Sequence, residues 1–159
     1  MLVDLEPGYE ALEVGDIIEP TTFWRFLPNE PSFPEEIVSH DVPARIERVV
    51  NAKGRDCWTA HLSDTFATVL HHWDGGEGPA NLTGYLEYDR YLWLFHPTPL
   101  ARARIVQRAN LTQATALTPS SDPNTYITRN HGPMTLKPAG KVPPGHHIQW
   151  HCARLSIDD

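Results

Sequence analysis

The heptapeptide HHIQWHC (146–152) places three histidines and a cysteine in seven residues. Its conformation decides both the chemistry open to it and the class of fold. On a helix, His147 and His151 stand one turn apart, about 6 Å, and can share a metal ion. On a strand the same residues lie about 13 Å apart and cannot. Pro143-Pro144-Gly145 precede the stretch, and Ile148, Trp150 and Cys152 alternate with His147, Gln149 and His151. That is the two-residue period of a strand with one apolar and one polar face. A helix would also set Asp158 and Asp159 at its negative C-terminal end. The heptapeptide therefore reads as the closing strand, with Ile148, Trp150 and Cys152 inward and His147 and His151 outward. Any metal held there must be completed by another segment.

The same period recurs upstream. In VPARIERVV (42–50), Ala44 and Ile46 alternate with Arg45 and Glu47, and NAKGRD with its Gly54 turns this run into DCWTAHL (56–62) as a hairpin. LARARIVQRANLTQATAL (100–117) alternates Ala101, Ala103 and Ile105 with Arg102, Arg104 and Val106. LTGYLEYDRYLWLF (82–95) reads as a strand bent near Asp89-Arg90, or a tight hairpin there. The exception is SDTFATVLHHWDGG (63–76). Ser63 suits an N-cap, and Phe66, Val69, Leu70 and Trp73 fall at helical spacing before Gly75-Gly76. This predicts one short helix over about 63–74, with a further strand as the rival. ARIERVVN (44–51) is echoed by ARIVQRAN (103–110), and each follows a W-x-F triplet, Trp24-Arg25-Phe26 or Trp93-Leu94-Phe95. The unequal spacing favours two similar amphipathic strands over a duplicated unit.

Twelve of the fifteen prolines lie in the first and last thirds, where they exclude helix interiors and central strands. The prediction is a mainly β single domain over 1–159, a small barrel or two-layer β-sandwich with that one short helix and Pro-rich loops. An acidic, Pro-containing N-terminal segment, 1–41, packs on or flanks it, and 118–145 forms a long turn-rich loop.

The net charge of −7 is uneven: through Asp41 there are ten acidic residues against Arg25 alone. Such runs usually face water. The overall acidity argues against nucleic acid or an anionic membrane as partner. No apolar run reaches the ~18 residues of a membrane span, and the acidic start MLVDLEPGYEALEVGD lacks the basic-then-apolar pattern of a targeting signal. The expected location is cytoplasmic, where Cys57 and Cys152 serve as small buried hydrophobes.

No phosphate-binding, nucleophile-elbow, zinc-protease, CxxC or EF-hand pattern occurs in the chain. The metal candidates are therefore scattered histidines: His147, His151, His131, and the adjacent His71 and His72, which suit the last turn of the expected helix. Arg102, Arg104 and Arg108 on one strand offer an anion- or acid-binding face. Tyr91 and Trp93 offer an aromatic contact surface. These features favour a non-enzymatic binding module for a protein or small molecule. The alternative is a small enzyme built on histidines brought together in space, with or without a metal cofactor.

Overall fold

The computed structural model describes residues 1–3, 11–26, 33–51, 53–92, 99, 101–122 and 124–157. Among these the chain is mainly β, and the one helical element that lies wholly within them is a single 3-10 turn, Glu35–Ile37. Ten strands follow in order: β1 Leu2–Val3, β2 Ile17–Ile18, β3 Thr22–Phe26, β4 Ser39–Val50, β5 Asp56–His61, β6 Ala67–Leu70, β7 Gly78–Tyr88, β8 Ala103–Pro119, β9 Tyr126–Pro138 and β10 His146–Ser156.

Five of them close a barrel. β4, β5 and β6 form an antiparallel meander, β6 lies parallel to β3, and β7 pairs with β3 along its second half and with β4 along its first. The β4–β5 hairpin turns where the alternation placed it. Asn51 builds the turn with its side chain, which accepts from the Lys53 and Arg55 amides at 2.9 Å each. Register carries the interior round the circuit: Ile46 faces Ala60, Trp58 faces Leu70, Leu70 faces Trp24, and Trp24 faces Leu86. Trp24, Ile46, Ala60, Leu70 and Leu82 form the buried centre. Burying a side chain of this size contributes about 1.5–3 kcal/mol, so this ring supplies much of the barrel's stability.

The expected helix at 63–74 is absent. Ser63–Thr65 form a turn, Phe66 bridges to Ala101, and Ala67–Leu70 is a strand. All four residues of β6 are buried. Leu70 points into the barrel, whereas Val69 packs outside with Phe23 and Leu92. A strand covered on both faces has no polar side to reveal its period, so the helical spacing from Phe66 to Trp73 was accidental. His71 and His72 consequently cap no helix.

The second sheet runs β9–β8–β10–β1, with β2 on the free side of β8's first residues. β1 joins it to the barrel by pairing with β10 on one side and with β7 at Glu87 on the other. The stretch 118–145, expected as a loop, contains the 13-residue β9. Its prolines are tolerated because Pro133 lies in a bulge and Pro138 at the strand end, where no ladder amide is needed. The two echoing segments occupy different settings, 44–51 along β4 in the barrel and 103–110 in β8 of the second sheet. The triplet at 93–95 lies outside the described residues.

Candidate functional site

β10 is the strand that HHIQWHC implied, with one departure. Ile148 faces Thr112 and Trp150 faces Leu111, so Gln149 is an extra residue and the strand bulges there. His147 consequently sits opposite Gln113 and His151 opposite Asn110. Those partners are three positions apart on β8, an odd offset that turns the two histidines to opposite faces. His147 is exposed; His151 is half-buried, its Nδ1 3.0 Å from Asn110 Oδ1.

The remaining metal candidates also stay apart. His71 is half-buried with its ring edge-on to Phe23 at 4.9 Å, and His72 is exposed. His131 is exposed on β9. Among the described residues no three His, Cys, Asp or Glu side chains converge on a point that would hold a metal ion.

Two of the three arginines hold the front segment. Arg104 donates to the Gly15 carbonyl at 3.2 Å and Arg108 to that of Leu12. Gly15 N–H also donates to the Ile105 carbonyl, and Ile105 N–H to that of Asp16. Part of the acidic front segment thus lies along β8, held through its backbone while Glu13, Asp16 and Glu19 stay exposed. Arg102 is exposed. Tyr91 is half-exposed, with the Arg90 guanidinium 4.6 Å above its ring, while Trp93 lies outside the described residues.

Two features remain that the sequence reading did not single out. The first is a depression of about 490 Å³ on the outer face of β4 and β5. Arg45 and His61 face each other across the hairpin, and Glu47 stands two residues along from Arg45. Glu47 Oε2 lies 2.9 Å from His61 Nε2 and 3.4 Å from Arg45 Nη1. Ser63 lines the same hollow. Its hydroxyl donates to the Ile157 carbonyl at 3.0 Å and accepts from the Thr65 amide, so it is a structural tie and not a poised nucleophile.

The second is an arm. β10 stops pairing with β8 at Ala114, but β8 and β9 continue together from Thr115↔Asn130 to Pro119↔Tyr126. These five pairs make a two-stranded ribbon about 17 Å long. Thr115 fastens its base to the Gly145 carbonyl. Asp122 orders its tip, one carboxylate oxygen accepting from Asn124 N–H and the other from the Thr125 hydroxyl. Leu117, Tyr126 and Ile127 are 70%, 63% and 44% exposed. The pairing sets Leu117 and Tyr126 on one face, and Ile127, Arg129 and His131 on the other. Residues 124–133 are all exposed, so this part of β9 packs against no core.

No family model, curated protein or solved structure matches the chain.

Proposed function

We propose that this protein is a binding module that engages another protein through the β8–β9 arm. The observation that supports this reading is the exposure of Leu117, Tyr126 and Ile127 on a ribbon that buries nothing of its own. A lone two-stranded ribbon gains little stability in water, and clustered exposed apolar side chains mark contact sites. We place the module in the cytoplasm. Both thiols are free, as suits a reducing compartment, and no helix among the described residues is long and apolar enough to cross a membrane.

Site-specific photo-crosslinking tests the proposal. A photoreactive phenylalanine analogue at Leu117 or Tyr126 is expected to trap one discrete protein in the cells that make this chain. The same group at Val50, comparably exposed but on the barrel, is expected to trap none. Equal yields at all three positions, or none at 117 and 126, would refute the arm as the contact element.

A small polar ligand in the Glu47–His61 depression is the second reading. It rests on the hollow's volume, within the usual range of ligand sites, and on the polar groups gathered at one wall. His61→Ala should abolish any ligand-induced rise in melting temperature found by screening small polar metabolites.

A further inference from the structure

We infer that the outer edge of β9, from Tyr126 to His131, accepts an extended acidic segment of another protein as an added strand; this rests on the arm being the contact element. β8 occupies one side of β9, and among the described residues no strand occupies the other. An unpaired edge presents a row of amides and carbonyls ready for a further chain. The two halves of β9 differ in how they treat it. From Gly132 onward the edge is blunted by the bulge and by Pro133 and Pro138. From Tyr126 to His131 it has no proline, and Tyr126, Ile127 and Thr128 favour extended backbone.

Charge selects the occupant. No carboxylate occurs from Thr125 to Pro138, whereas Arg129, His131 and Lys137 do, in a chain of net charge −7. None of these three has an ion-pair partner among the described residues. A second copy would set one basic edge against another and bring together two molecules of net charge −7, so strand pairing between copies is disfavoured. A segment alternating acidic and apolar residues matches both faces. Its carboxylates would lie beside Arg129 and His131, and its apolar side chains beside Tyr126 and Thr128 on the opposite face.

The test uses the full chain and two blocked ten-residue peptides, one alternating Glu and Val, the other Lys and Val, followed by fluorescence anisotropy and by amide chemical shifts. The Glu peptide is expected to bind, to shift the amides of 126–131, and to weaken at least tenfold with Arg129→Glu or in 0.5 M salt. The Lys peptide is expected not to bind. Ile127→Pro and Thr128→Pro separate edge from ladder, because of two adjacent amides one faces β8 and the other faces outward. The variant that keeps the wild-type melting temperature has lost only the outward amide, and it is expected to lose the Glu peptide. The inference is overturned if the Glu peptide leaves these amides unmoved, if the Lys peptide binds as well, or if the outward variant still binds. Self-association through the arm in sedimentation equilibrium would also overturn it, naming a second copy as occupant. Crosslinking from Leu117 that persists in the outward variant would refute strand addition alone and leave the arm as a contact element.

Discussion

Thr22 and Thr68 meet inside the barrel, hydroxyl to hydroxyl at 3.0 Å, with both residues fully buried. Each satisfies the other where water does not reach. Thr22→Val should therefore cost about 1–3 kcal/mol, because it strands the Thr68 hydroxyl. The double variant, Thr22→Val with Thr68→Val, should recover most of that loss, since no orphaned group remains. Urea unfolding of the four proteins in the cycle measures the coupling. Simple additivity would mean that the pair does not act as a unit.

Gly84 marks where β7 leaves β4 and takes up β3, opposite Ser39 on one side and Phe26 on the other. A Cβ there would stand 2.0 Å from the Arg25 carbonyl oxygen and 2.7 Å from Trp24 Nε1. Backbone cannot yield as a flexible side chain can. Gly84→Ala is expected to destabilise by roughly 3 kcal/mol or more, or to prevent folding. Gly140, with φ +79° and open space around it, is the control, and its alanine variant should cost only about 1–2 kcal/mol. Equal losses at the two sites would remove the close approach as the cause.

Burial pushes the Cys152 thiol up from its ordinary 9.0 to about 11, opposed by the nearby Met1 amino group and a backbone hydrogen bond at Leu111. A thiol whose folded pKa is raised stabilises the fold below pH 9, and that contribution is lost as pH rises from 9 to 11. Stability should accordingly fall across this window in the wild type and fall less in Cys152→Ala. At pH 8.5 the folded protein should hold about a hundredfold less Cys152 thiolate than the unfolded chain, and alkylation should slow to match. Labelling as fast as in urea would contradict the burial.

The arm is expected to be dispensable for folding. Replacing Leu117–Thr128 with an Asn-Gly turn removes no buried residue among those described and supplies the residues a tight hairpin prefers. The melting temperature should change by no more than about 2 °C. A loss of more than about 5 °C would make the arm part of the structural core.

The sequence was legible wherever one face of a strand is buried and the other is wet. Ala44 and Ile46 against Arg45, and Ala103 and Ile105 against Arg104, carry that alternation, and the hairpin between β4 and β5 followed from it. It failed at both extremes. β6 is buried on both faces, and the outer half of β9 is exposed on both, so neither has a contrast to read. The bulge at Gln149 was invisible because it arises from pairing with β8, and it separates the histidines that strict alternation put on one face. His61 and Glu47 lie 14 residues apart. Only the register of their hairpin, once centred, brings them together.

The parallel pairing of β3 with β6 also sets the order of events in folding. β3 emerges first among the barrel strands, yet Thr22 meets Thr68 46 residues later and Arg25 meets Glu87 62 residues later. At 5–20 residues per second, a ribosome needs roughly 3–12 s to supply the second partner. Phe23 and Trp24 wait for β6 and Phe26 waits for β7, so the circuit cannot close until β7 exists. The barrel is therefore a late, non-local event, of the kind that slows folding and leaves the nascent chain dependent on protection from aggregation.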